Sequence, residues 1–336
     1  MMEYRVLGKT NLKISRLGFG GIPIQRIDAE GTKEILYRLR DAGVNYIDTA
    51  RGYTVSEEYI GYALEGIRDD FVLATKSMAR TKEAMAADID LSLKLLRTDY
   101  IDLYQVHNPS PEDLKVVLAP GGALEALQEA KAAGKIGHIG ITLHTAPMFE
   151  EAVEFDWVET IMFPYSLVET QGEKLMRICS EKNIGFICMK PLGGGAIDDA
   201  PLALKFILNN PDVSVVIPGM ASLAEVDQNV QASNNVDKLT QEDMNKIDEI
   251  RSSLGTEFCR RCNYCNPCSV GISIYRQFVL EGYYTRYNLK QWAIECYNAL
   301  PKHASDCIDC GVCEERCPYN LPIRDMLKRV AKLFEG

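Results

Sequence analysis

"LGFGGIP", residues 17–23, decides between the two parallel α/β architectures open to this chain. A doubly wound dinucleotide-binding sheet carries G-x-G-x-x-G directly after its first strand, and here Pro23 breaks that pattern. Working outward, short β-branched runs recur: NYIDTA from 45, FVLATK from 71, IDLYQVH from 101, IGHIGIT from 136, ETIMFPYS from 159, GFICMK from 185 and VSVVIPG from 213. With LGFGG these make eight strands whose starts lie 23 to 35 residues apart. Stretches of helical period lie between them, at 32–43, 81–99, 121–135 and 172–183, several ending in the Gly or Asn that a left-handed cap favours. Eight strand–helix units over about 250 residues describe a (β/α)8 TIM barrel.

Upstream, VLGKTNLKISRL (6–17) reads as a β-hairpin turning at Thr10-Asn11, suited to plug the barrel floor. Downstream, helical stretches at 222–235 and 240–255 follow the last strand, and Gly255 is their stop. A cysteine-rich part begins at once, so two domains are expected, residues 1–256 and 257–336.

Composition agrees with one large core and an appendage: 336 residues, 46% hydrophobic and 25% charged. Lys and Arg total 37 against 47 Asp and Glu, and the formal charge of −10 argues against a nucleic-acid footprint. The N-terminal MMEYRVLGKT has no basic segment followed by an apolar run, and no stretch of about 18 apolar residues stands free of charge. A cytoplasmic protein with no membrane partner is expected. Of 11 cysteines only Cys179 and Cys188 precede residue 259, and a disulfide scaffold does not suit so large a core in a reducing compartment. Metal binding is the better reading.

Catalytic groups of such a barrel stand at the C-terminal ends of strands. Asp48 closes the second strand, Tyr53 follows five residues later, Lys76 ends LATK and His107 ends LYQVH. Their chemistry is coherent. A phenol of ordinary pKa about 10 serves as a general acid near neutrality when a cation such as Lys76 favours its phenolate. Asp48 would orient Lys76, and His107 would donate to a substrate oxygen. Each also has a plain structural reading: a cap for Asp48, rim packing for Tyr53, a solvated end for Lys76, a core histidine for His107.

With these residues in view, the chain resembles the aldo-keto reductase superfamily over about residues 3 to 250. The likeness is carried by YRVLGKTNLKISRLGFGG, NYIDTARGYTVSEEYIG, LATKS, IDLYQVHNP, GKIGHIGIT, PYSLVE, KPLGGG and VVIPGMASLAEVDQNV. It implies an oxidoreductase that reduces a carbonyl with NAD(P)H, or runs the reverse alcohol oxidation, using Tyr53 as acid and Asp48, Lys76 and His107 as the rest of a tetrad. It also implies cofactor contacts at Gly20, Gly21, Thr142, Lys190, Pro191, Leu192, Gly193, Gly219, Glu225, Gln228 and Asn229. Several depart from the family pattern: Thr142-Leu143 replaces Ser-Asn, Met162 replaces Gln, and Lys190 replaces the Tyr that stacks on nicotinamide. Gly219 and Glu225 stand where NADP-binding members have Lys and Arg near the 2′-phosphate. A carboxylate repels phosphate but accepts from a free ribose, so NADH is expected to serve at least as well as NADPH, or dinucleotide binding to be weak.

The C-terminal part holds two cysteine runs. CRRCNYCNPC places Cys259, Cys262, Cys265 and Cys268 at x2, x2, x2 spacing; CIDCGVCEERCP places Cys307, Cys310, Cys313 and Cys317 at x2, x2, x3 before Pro318. The second is the bacterial ferredoxin run, whose fourth cysteine goes to the other cluster. By that logic Cys259, Cys262, Cys265 and Cys317 hold one [4Fe–4S] cluster, and Cys307, Cys310, Cys313 and Cys268 a second. Zinc, which also takes C-x2-C pairs, stays open as an alternative, as does a single cluster, since Ser269 replaces the proline in the first run. Between the runs lie 38 residues of helical character, so the part looks like an α-helical dicluster ferredoxin domain. Cys179, Cys188 and Cys296 read as small buried residues. The terminal helix carries Arg324, Lys328, Arg329 and Lys332 along one face, either solvated or a dock for an acidic electron carrier.

Three functions follow: a carbonyl reductase with structural or sensing clusters; a cluster-coupled oxidoreductase exchanging electrons with a ferredoxin or flavoprotein, its nicotinamide altered or absent; or an electron-transfer module on a degenerate barrel. The complete tetrad counts against the third, and the altered nicotinamide positions keep the second open; the expectation is an oxidoreductase of aldo-keto reductase type, with the coupling of its clusters left open.

Overall fold

The strands that LGFGG and its successors form close on themselves in the computed structural model, which describes residues 1–336 except Asn235 and Thr256. Those two positions, the expected last residues of the 222–235 stretch and of the first domain, lie outside the described residues. A hairpin comes first, β1 (Tyr4–Val6) and β2 (Lys13–Ser15), paired antiparallel. Eight parallel strands follow: β3 (Phe19–Gly20), β4 (Tyr46–Asp48), β5 (Val72–Ser77), β6 (Ile101–His107), β7 (Ile136–Thr142), β8 (Thr160–Pro164), β9 (Gly185–Met189) and β10 (Val215–Ile217). They neighbour one another in sequence order, and parallel bridges Leu17↔Val216 and Gly20↔Gly219 join the last to the first. The result is a (β/α)8 barrel.

A helix follows each of the eight barrel strands, including the four expected from period at Ala29–Asp41, Lys82–Leu95, Ala123–Ala132 and Glu173–Glu181. Gly43, Gly134 and Asn183 lie just beyond three of these with φ of 82°, 73° and 55°, the left-handed caps anticipated. Four helices not anticipated, Ser56–Ala63, Pro111–Leu118, Ala146–Ala152 and Ala200–Leu208, are short, and three carry proline in the first turn.

The hairpin plugs the floor as expected. Leu7 and Ile14, both fully buried, pack with Tyr46, Ala74, Leu103, Met162, Ile187 and Val215 from the strand interiors. Asn11 makes the turn at φ 59°, and Lys9 N–H donates to Asn183 O at 2.8 Å. Gly8 is required there: its φ is +55°, and a Cβ would lie 2.2 Å from Gly185 N.

Contacts divide the chain into two units, 1–191 with 199–239, and 192–198 with 240–336. The second has its own apolar core, with Ile274, Phe278, Tyr297, Ile323, Met326, Leu327 and Val330 packed beside Cys265, Cys313 and Cys317. Its helices include Gln241–Leu254, Ile274–Thr285, Lys290–Asn298 and Ile323–Phe334. Among the described residues no helix is long and apolar enough to cross a membrane.

Candidate active site and cysteine sites

Strand register sets the barrel site. Asp48 ends β4 opposite Ala74, Lys76 pairs with Gln105, and His107 ends β6 opposite Thr142, so the three polar ends converge at the C-terminal rim. Lys76 is 2% exposed; its Nζ donates to Asp48 Oδ1, and to Thr49 O at 2.8 Å. Gln105 Nε2 donates to the other Asp48 oxygen at 3.1 Å. Burial lifts the Asp48 carboxyl above its usual range, opposed by Lys76 and by the Gln105 hydrogen bond. Tyr53 hangs from the loop after β4, with its ring centroid 4.9 Å from Lys76 Nζ. It meets the His107 ring edge-on at 6.1 Å between centroids and 90° between planes. All four tetrad candidates are thus gathered around one lysine.

Sequence reasoning missed the residues that hold this group. Gln105 shares the inward face of β6 with Leu103 and His107, and that alternation was its only signal. Arg80 Nη2 donates to His107 O at 2.9 Å. Arg51 N–H donates to Lys76 O at 3.0 Å, while its side chain pairs with Glu57, 1% exposed, which also accepts from Thr75 at 2.7 Å and Ser92 at 2.9 Å.

The candidate cofactor positions separate into groups. Gly20, Gly21 and Gly219 lie together where β3 meets β10, and Gly21 N–H donates to Asp48 O at 2.8 Å. A Cβ on Gly219 would lie 2.4 Å from Pro23 Cγ. The proline that breaks the dinucleotide pattern therefore occupies the space of any side chain at 219. Thr142 is buried beside His107, its Oγ1 accepting from Asn108 N–H at 3.1 Å. Lys190, followed by the buried Pro191, has a left-handed φ of 56° after β9. Glu225 and Gln228 are exposed on the helix Leu223–Asn234, and Glu225 accepts from Ala221 N–H at 2.6 Å. Asn229 is buried on that helix, and its Oδ1 has no hydrogen-bond partner among the described residues. Leu192 and Gly193 fall in the second unit, where the neighbouring Gly194 O accepts from Arg286 at 2.9 Å.

The cysteine runs share one backbone path. Arg261 and Asp309, each third in its C-x-x-C, have φ of 57° and 58°; Asn263 and Gly311, each after the second cysteine, have 66° and 79°. Such left-handed residues curl the chain so that thiols face inward. One cavity, open to solvent, is lined by Cys307, Cys310 and Cys313 together with Cys268. A second is lined by Cys259, Cys262 and Cys265 together with Cys317. Each cavity is thus bordered by four thiols, the number of protein ligands a four-iron cluster takes. Burial pushes the Cys265 thiol up to about 12 and Cys313 to about 11, so metal uptake would release their protons. Cys310 is lowered by the Val312 N–H and the Ser269 hydroxyl, whose Oγ lies 3.7 Å from its sulfur.

Cys179 and Cys188 are fully buried and Cys296 is partly so. On the terminal helix, Arg324 pairs with Glu314 at 2.8 Å, Lys328 with Asp325 at 3.2 Å and Arg329 with Glu281 at 2.6 Å.

Against known proteins, residues 16–201 and 198–252 match the model of the Aldo/keto reductase family. The chain belongs to the aldo/keto reductase family. Residues 258–322 match the 4Fe-4S dicluster domain, so this aldo/keto reductase carries an iron–sulfur domain. It is 28% identical over 306 residues to an L-galactose dehydrogenase of Arabidopsis thaliana, covering 74% of this chain and 94% of that one. An oxidoreductase of Bacillus subtilis is 26% identical over 299 residues, covering 73% and 95%. Among solved structures, the holo form of an aldo-keto reductase from Bacillus halodurans matches with a TM-score of 0.65 and 26% identity, covering 74% of this chain and 96% of that one.

Proposed function

We propose that this aldo/keto reductase reduces a small carbonyl compound with NAD(P)H, or oxidises the alcohol in reverse, in a barrel spanning 1–256, and carries two [4Fe–4S] clusters in 257–336. The observation that carries it is Lys76, buried against Asp48 with its Nζ 4.9 Å from the Tyr53 ring. Tyr53 Oη donates the proton that the carbonyl oxygen acquires on becoming an alcohol. Lys76 stabilises the phenolate left behind, and Asp48, Thr49 O and Gln105 fix Lys76 in place. His107 donates to the same substrate oxygen, held from behind by Arg80. A bound dinucleotide would supply the hydride. Gly20, Gly21, Thr142, Lys190, Pro191, Gly219, Glu225, Gln228 and Asn229 would hold it, with the unmatched Asn229 Oδ1 suited to an amino donor.

Glu225 would face the 2′ position, so NADH is used at least as well as NADPH. Fluorescence titration of the iron-loaded protein checks this, together with turnover of a carbonyl panel and of L-galactose, included because of the plant relative's name. Clear preference for NADPH contradicts it.

The clusters would be held by Cys259, Cys262, Cys265 and Cys317, and by Cys307, Cys310, Cys313 and Cys268, and would supply one-electron storage. A reducing cytoplasm keeps these thiols available. One observation favours a second reading, electron exchange with a ferredoxin or flavoprotein: Cys310 is exposed and its neighbour Ile308 is 61% exposed.

A further inference from the structure

We propose that the buried Arg260 and Arg261, with the exposed Arg286 bordering the same cavity as Arg261, form a cationic shell that selectively stabilises the electron-bearing form of the cluster held by Cys259, Cys262, Cys265 and Cys317. This rests on the dicluster reading. A thiolate-bound cluster gains negative charge on reduction, and a buried setting disfavours that gain unless positive charge is close. The first run supplies it. Arg260 is 9% exposed and Arg261 4% exposed, rare burial for guanidinium groups. Arg260 lines the cavity of this thiol set, lies over the Tyr319 ring at 4.2 Å, and donates to Phe258 O at 3.2 Å. Arg261 and Arg286 line a neighbouring cavity that Cys259 also borders, along with Glu257 and Glu281. Both carboxylates are engaged by a fourth guanidinium, Arg329, at 3.2 and 2.6 Å. Among the described residues lining the cavity of the thiol set, Arg260 is the cation and no Asp or Glu borders it.

The other thiol set is built oppositely. Its cavity is bordered by one arginine, Arg324, which pairs with Glu314 at 2.8 Å and Asp309 at 3.6 Å. Lys328 lies 3.9 Å from Asp309 and 3.2 Å from Asp325, so the local charge is offset and exposed. Water and the Ser269 hydroxyl at Cys310 supply the stabilisation that buried charge supplies in the first set. Removing a guanidinium should therefore be felt strongly at one site and weakly at the other. A unit charge about 10 Å away in an effective dielectric of about 20 is worth roughly a tenfold change in a one-electron equilibrium, or about 59 mV.

The test is an anaerobic potentiometric titration of the reconstituted full-length protein, reduced by dithionite and followed by electron paramagnetic resonance, with iron and sulfide measured on each sample. Arg261→Gln is expected to make one of two reduction waves about tenfold less reduced at a fixed potential, while Arg261→Lys leaves it in place and Arg324→Gln moves neither wave comparably. Should R261Q fail to take up iron, Arg260→Gln, at the guanidinium that lines the thiol cavity, carries the same expectation. Full iron content with no shift, or equal shifts in R261Q and R324Q, overturns the proposal. Iron sufficient for only one cluster in the unaltered protein instead overturns the dicluster reading beneath it.

Discussion

Glu159 binds three elements together through one carboxylate. It accepts from His138 at 2.7 Å, from Lys131 at 2.6 Å and from Ile139 N–H at 2.8 Å, joining β7, the helix Ala123–Ala132 and the start of β8. Burial alone would raise its pKa, but these donors outweigh burial and hold it at about 2, against an ordinary 4.5. A depressed folded value stabilises the barrel above about pH 4.5 and loses that contribution as pH falls toward 2. The gap in denaturant midpoint between the unaltered protein and Glu159→Gln should thus narrow between about pH 6 and about pH 3; a constant gap contradicts this. At this scale the sequence is only partly readable. Asp48, Lys76, Tyr53 and His107 announce themselves by standing at strand ends. Gln105, Arg80 and Arg51 act through partners 57, 27 and 25 positions away in sequence, and nothing local marks a glutamine on a strand as the second partner of a buried aspartate.

Among elements, the floor hairpin is the sharpest test of the packing. Gly8→Ala would force a left-handed φ on a residue with a Cβ and drive that atom into Gly185 N. The strain alone costs about 1 to 3 kcal/mol and the collision adds to it, so thermal unfolding of the barrel should move down by several degrees. An unchanged midpoint would show that the hairpin does not seat as described. All eight strands and the hairpin were legible because buried β-branched runs and turn residues agree with one another. The helices at Pro111–Leu118, Ala146–Ala152 and Ala200–Leu208 were not, because a proline at the first turn looks like a break although the missing N–H costs nothing there. Of the left-handed residues in the two cysteine runs, Asn263, Asp309 and Gly311 are types that favour φ > 0, and Arg261 is the one that gives no such signal.

For the whole molecule, the proposed function joins carbonyl reduction in the barrel to iron–sulfur clusters in the C-terminal domain. Cys310→Ala should lose iron and sulfide from the second unit; unchanged content would remove Cys310 as a ligand. Carbonyl turnover that survives this loss supports clusters with a structural or sensing role, and turnover that falls with iron supports electron exchange. Proton transfer from Tyr53 underlies the whole proposed reaction. The direct measurement is anaerobic carbonyl reduction by Tyr53→Phe beside the unaltered protein, with iron counted in both. A fall in kcat of roughly 100- to 10,000-fold at unchanged iron content is the predicted result; full turnover without the phenol would contradict it.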